Sequence, residues 1–183
     1  PGSIRKSVRF LDKNPDFTVS HGRYISFYLK PNSKGKAGFW WRPIQPYKSI
    51  TSHDAKTRLV RHFSNYYITF YAVYRTKFLR MIFNEQRKYT TDTRFGEILM
   101  SMLTLIHGKM KKLDMISTAR SAQSIPMVKS TTYHFYLDDF IREGTYQQKY
   151  ASFRKCLAKH LKKEASLSLE ESNNVIDKCM HAY

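Results

Sequence analysis

The stretch HDAKTRLVRHFSNYYITFYAVYRTKFLRMIFNEQRK, residues 53–88, decides the fold. At 100° per residue, Leu59, Phe63, Tyr66, Tyr67, Phe70, Tyr74, Phe78 and Met81 share one broad arc. Arg58, Arg61, His62, Asn65, Thr69, Thr76, Arg80 and Arg87 share the narrow strip opposite. This spacing predicts a long aromatic helix over about 55–84, buried on most sides, with one wet basic edge and room for a single break. Thr51, Ser52 or Asp54 can cap its start.

Downstream, Phe95, Ile98, Leu99, Met102, Leu103 and Ile106 form an apolar face. They predict a helix over 92–107, capped by Thr91 or Asp92 and ended by Gly108. A short helix is expected over 114–124, stopping before Pro126, and a strand over Lys129 to Leu137. Tyr146, Tyr150, Phe153, Leu157 and Leu161 recur at helical spacing within Thr145 to Glu164. Ser168 with Glu171 is a capping-box match for a last helix over about 169–181.

Upstream, residues 4–50 read as a basic segment of strands and loops. Phe17 to Ser20 and Tyr24 to Leu29 are β-rich and flank His21-Gly22-Arg23, which predicts a hairpin. Pro43 and Pro46 exclude a helix there and disfavour a central strand. Pro1-Gly2-Ser3 reads as the scar of a cleaved tag and is set aside. The expected fold is therefore α+β and predominantly helical. Three to five helices surround the long aromatic one, with a small N-terminal hairpin or sheet, and residues 51–183 form a helical domain continuous with 4–50.

Charge points to the partner. The chain has 32 Lys plus Arg against 14 Asp plus Glu, a net charge of +18 over 183 residues. Folding does not need such an excess, and self-repulsion costs stability, so a polyanion is the expected partner. Aromatics make up 15% of the chain, which excludes charge-driven disorder. No apolar run approaches the ~20 residues of a membrane span.

From Phe17 to Asn84 the sole acid is Asp54, against twelve bases. A single-sign tract of this kind suits phosphate neutralisation and counterion release. Within it, Lys34, Lys36 and Arg42 surround two glycines and the pair Trp40 and Trp41. Glycines let backbone approach phosphate, and exposed aromatics stack on bases. Arg58, Arg61 and Arg80 lie on the basic edge of the long helix, and Lys155, Lys159, Lys162 and Lys163 lie off the apolar stripe of the later one. The segment Asp138 to Gly144 before that later helix resembles the first helix and turn of a helix-turn-helix.

The expected function is non-catalytic nucleic-acid binding. Double-stranded DNA is favoured over RNA, in a regulatory, packaging or replication-accessory role. Two other classes compete: a matrix-like protein on an anionic membrane, and a metal-dependent nuclease using Asp138, Asp139 and Glu143. Cys156 and His160 stand four apart, with Cys179 and His181 later, but these spacings match no zinc finger. Two buried free cysteines, no metal, no cofactor and a reducing intracellular compartment are expected instead.

Overall fold

The computed structural model describes residues 2–31, 37–44, 48–67, 69–121 and 144–182. In chain order the elements are α1 (Gly2–Lys13), β1 (Phe17–Pro31), β2 (Ala37–Ile44), α2 (Ala55–Phe63), β3 (Val73–Tyr74), α3 (Thr76–Tyr89), α4 (Thr93–His107), β4 (Lys109–Ser121), α5 (Tyr146–Ala165) and α6 (Leu169–Ala182). The fold is α+β and predominantly helical.

The hub is α4. Leu99, Met102, Leu103, Leu105 and Ile106 are fully buried, so this helix is apolar nearly all round. Leu59 and Phe63 of α2, Ile82 of α3, Phe153, Leu157 and Leu161 of α5, and Ile176 of α6 close the core around it. Asp92 caps its start by accepting the Phe95 N–H at 2.8 Å. Gly108 follows its end, where a Cβ would stand 2.5 Å from Thr18 Cγ2.

The single aromatic helix over 55–84 is not what forms. The chain leaves helix at Phe63, and Val73 and Tyr74 pair with Ser20 and Val19 before α3 begins. The intervening aromatic run is a weak helix former, and its described residues are turns and loop up to the two-residue strand. Polar ties hold it: Tyr67 Oη donates to the Lys48 carbonyl at 2.8 Å, and Tyr74 Oη to that of Thr69 at 2.9 Å. Phe70, expected inside, is 52% exposed.

The sheet is built on β1. Residues 24–27 of β1 pair with both β2 and β4, and residues 19–20 with both β3 and β4. The parallel strand β4 therefore lines one edge, while antiparallel β2 and β3 succeed each other along the other. The expected hairpin turn at His21-Gly22-Arg23 is instead strand interior. Gly22 lies where the register with β4 shifts, and a Cβ there would stand 2.3 Å from the Met115 carbonyl oxygen. Glycine is required here for close backbone approach, not for a turn. The hairpin lies one step later, between β1 and β2, and Pro43 sits on the edge strand as its chemistry demands.

Two further expectations give way. Gly2–Lys13 is a helix rather than extended chain, and it includes two of the residues set aside as a tag scar. Arg75 anchors the end of this helix by donating to the carbonyls of Leu11, Asn14 and Phe17. Residues 114–121 are strand, not helix, drawn into parallel pairing with β1. The helix at the chain's end begins with the expected capping box. Ser168 Oγ accepts the Glu171 N–H at 3.1 Å, and Glu171 Oε2 accepts the Ser168 N–H at 2.8 Å.

Candidate nucleic-acid interface

Helix α5 buries Phe153, Cys156, Leu157 and Leu161 against the core. That orientation turns Lys155, Lys159, Lys162 and Lys163 outward, and all four are exposed. Positions 155, 159 and 162/163 fall on successive turns, so the row runs ~12 Å along the helix. Lys162 and Lys163 occupy the last turn, where the helix dipole favours cations. One acid, Glu85 of α3, reaches into the row, 3.7 Å from Lys159 Nζ and 3.5 Å from Lys88 Nζ.

The basic edge expected on one long helix is divided. Arg61 on α2 and Arg80 on α3 are both exposed, but on separate helices. Arg58 is no surface residue at all: it is 6% exposed and its guanidinium is spent on four backbone carbonyls. Nε donates to Leu105 O at 2.6 Å and Nη2 to Ile106 O at 2.7 Å, while Nη1 donates to Ser52 O at 3.0 Å and His53 O at 2.6 Å. Burial lowers its pKa somewhat, but an arginine held by four acceptors stays charged. Arg58 therefore locks α2 to the end of α4 and is no part of the exposed basic surface.

Trp41 lies opposite Phe27 on edge strand β2 and is 60% exposed. The backbone of Trp40 pairs with Tyr28 and that of Arg42 with Ser26. Their side chains, together with Lys34 and Lys36, lie outside the described residues, as do Asp138, Asp139, Glu143 and the strand expected over 129–137. The sequence reading missed a third basic surface. Arg5, Lys6, Arg9 and Lys13 are exposed on α1, opposite buried Ser7 and Leu11. Bases at positions 5, 9 and 13 carry the helical signal, which the reading of residues 4–50 as strands and loops passed over.

Beneath the α5 row lies a cluster the sequence half showed. Cys156 and His160 meet not Cys179 and His181 but Glu85 of α3. Glu85 Oε2 is 3.2 Å from His160 Nε2 and 3.7 Å from Cys156 Sγ. His160 Nδ1 stands 2.9 Å from His107 Nε2, and His107 Nδ1 is 3.2 Å from Glu164 Oε1. Burial pushes the Glu85 carboxyl up, but the His160 hydrogen bond and the charges of Lys159 and Lys88 outweigh it and hold it below the usual range. Burial, then the Glu85 charge, push the Cys156 thiol up to about 12. Burial and the neighbouring His160 lower His107. Cys156 and Cys179 are both buried and free.

Fold and surface together define a strongly basic, predominantly helical α+β protein. No protein-family model, no curated protein and no solved structure matches the chain. Among the described residues, no helix is long and apolar enough to cross a membrane.

Proposed function

We propose that this protein binds nucleic acid without catalysis, as a regulator or an accessory to replication or packaging. The observation that carries the reading is the exposed row Lys155, Lys159, Lys162 and Lys163 on one rigid, core-anchored helix. Four lysines against the one acid Glu85 still cost stability through repulsion, and a polyphosphate relieves it with release of counterions. Duplex DNA is the first target, because a helix edged with lysine fits the major groove or lies along a phosphate backbone. The exposed Trp41 supports an additional stacking contact with unpaired bases of DNA or RNA. Two buried, free cysteines support a reducing intracellular setting.

The test is a binding titration on duplex DNA, single-stranded DNA and RNA at several salt concentrations. Binding that weakens steeply with salt supports the reading, and no measurable binding at low salt rejects it.

A second reading draws on α1. Ile4 and Val8, one turn apart, are exposed beside Arg5, Lys6, Arg9 and Lys13. An apolar edge flanked by bases is the pattern of a helix that lies on an anionic membrane surface. Flotation with anionic vesicles free of nucleic acid separates the two: co-flotation lost in an Ile4→Ser, Val8→Ser variant favours the membrane.

A further inference from the structure

We propose that Glu85, Cys156 and His160 bind one zinc ion, which clamps α3 to α5 beneath the lysine row. This inference is independent of what the basic surface binds.

The donor set comes first. A carboxylate, a thiol and an imidazole converge with their ligand atoms all within 4.8 Å of one another. Ligands ~2.0–2.3 Å from a tetrahedral zinc stand ~3.3–3.8 Å apart. Glu85 Oε2 is 3.2 Å from His160 Nε2 and 3.7 Å from Cys156 Sγ, so two edges of the triangle already have that size. Cys156 and His160 are four apart on one helix, the spacing by which two side chains of a helix reach a shared ion. Three protein ligands leave a fourth position for water.

The second observation is a polar chain that orients the imidazole. Glu85, His160, His107 and Glu164 are joined by three contacts, at 3.2, 2.9 and 3.2 Å. Each contact joins two atoms that carry lone pairs and needs a proton or a metal ion between them, and a zinc ion at the Glu85–His160 contact takes the place of a proton there.

Cys156 sulfur stands at the Glu85–His160 end of this chain. If zinc occupies that end, the remaining hydrogens fall into place. His107 Nδ1–H donates to Glu164, His160 Nδ1–H donates to His107 Nε2, and the His160 Nε2 lone pair faces the metal. Ligating histidines are oriented by such outer partners, and here His107 and Glu164 are positioning residues.

Charge and access are compatible with this. Ionised Glu85 and Cys156 together balance a divalent ion, and zinc releases the thiol proton on binding. The Lys88 and Lys159 ammoniums near Glu85 sit on side chains 65% and 61% exposed, free to turn to solvent as the ion enters. A thiol beside an imidazole selects a borderline-soft metal over magnesium or calcium.

The full chain is stripped with a chelator, then titrated with Zn²⁺ against a chromophoric chelator and with Co²⁺ by absorption. The expected result is one ion per chain, with a thiolate-to-cobalt charge-transfer band and the strong visible bands of tetrahedral cobalt. Cys156→Ser removes the thiolate band, whereas Cys179→Ser keeps it. His107→Gln preserves the three ligands and weakens zinc binding by ~10–100-fold. Much less than one ion per chain, a wild-type cobalt spectrum without the thiolate band, or wild-type zinc affinity in Cys156→Ser overturns the proposal. If Cys156→Ser does not fold, the Cys179→Ser spectrum decides, because a thiolate band there has only Cys156 as its source.

Discussion

The Nε of Arg58 donates to the backbone carbonyl of Leu105 at 2.6 Å, joining α2 to the last turn of α4 across 47 residues of sequence. Helix ends leave carbonyls without partners, and here one buried guanidinium serves two of them, Leu105 and Ile106, along with Ser52 and His53. Its charge also faces the negative end of the α4 dipole. Removing it leaves buried carbonyls unpaired at ~1–3 kcal/mol each. Arg58→Ala should therefore lower stability by ~3 kcal/mol or more in urea unfolding. Arg58→Lys should recover only part, since an ammonium cannot span four acceptors. A mutant of wild-type stability with weakened nucleic-acid binding would return Arg58 to the surface.

Phe63 and Phe70 belong to one aromatic run but to different environments. Phe63 is 1% exposed and packs in the core beside Leu59, while Phe70 is 52% exposed in the segment after α2. Phe63→Ala should cost ~3–5 kcal/mol, the usual cost of emptying a core aromatic site. Phe70→Ala should cost ~1 kcal/mol or less, as for a partly solvated side chain. Equal losses in thermal or urea unfolding would contradict the break between α2 and α3.

His62 should make the fold acid-sensitive. Its ring is fully buried among Phe63, Tyr66 and Tyr67, and neither ring nitrogen has a hydrogen-bond partner among the described residues. Burial, then the charge of His21, lower its pKa to about 3. In the unfolded chain it titrates near ~6.5. Above that pH both states are neutral and the group contributes nothing. Below it the unfolded chain takes up a proton that the folded chain refuses, so stability falls as pH falls. The loss is ~2 kcal/mol between pH 6.5 and 5, before the depressed carboxylates begin to titrate. His21, also lowered by burial, adds in the same direction. His62→Phe should flatten the slope by about one proton. A urea midpoint unchanged between pH 7 and 5 would rule this out.

These cases show what local pattern reveals and what it hides. The bounds of α4 were legible because Asp92 and Gly108 bracket a clean apolar stripe. The capping box of α6 was legible because Ser168 and Glu171 act within four residues. The break after α2 was not, because aromatic residues fill the run from Tyr66 to Tyr74 so densely that helix and strand periods both fit it. Strand β4 was hidden because three register shifts erase its two-residue alternation. Arg58 was misplaced because charge implies surface unless the carbonyls that receive it are known. The Cys156–His160 pair was visible at i, i+4, but Glu85 lies 71 residues from Cys156 and His107 53 from His160. Only the packing of α3 and α4 on α5 brings them together.

The lysine row should act through phosphate, and phosphate contacts release condensed counterions. For ~6 contacts the slope of log affinity against log salt is about −5, a loss of ~10³ between 50 and 200 mM. Alanine at Lys155, Lys162 or Lys163 should each flatten that slope by about one unit and weaken all sequences alike. Lys159→Ala should do less, because Glu85, 3.7 Å from its Nζ, already neutralises part of its charge. Arg61 and Arg80 stand on separate helices, so their substitution reports whether the surface extends beyond α5. Trp41→Ala should leave the slope unchanged and cost ~1–3 kcal/mol on single strands if a base stacks there. The measurement is a set of titrations on duplex and single-stranded oligonucleotides from 50 to 200 mM salt. A steep wild-type slope with unaltered α5 mutants would keep the nucleic-acid reading but move the surface to Arg5, Lys6, Arg9 and Lys13 of α1. A wild-type slope near zero would end that reading and leave the anionic membrane, tested by Ile4 and Val8, as the partner of the basic surface.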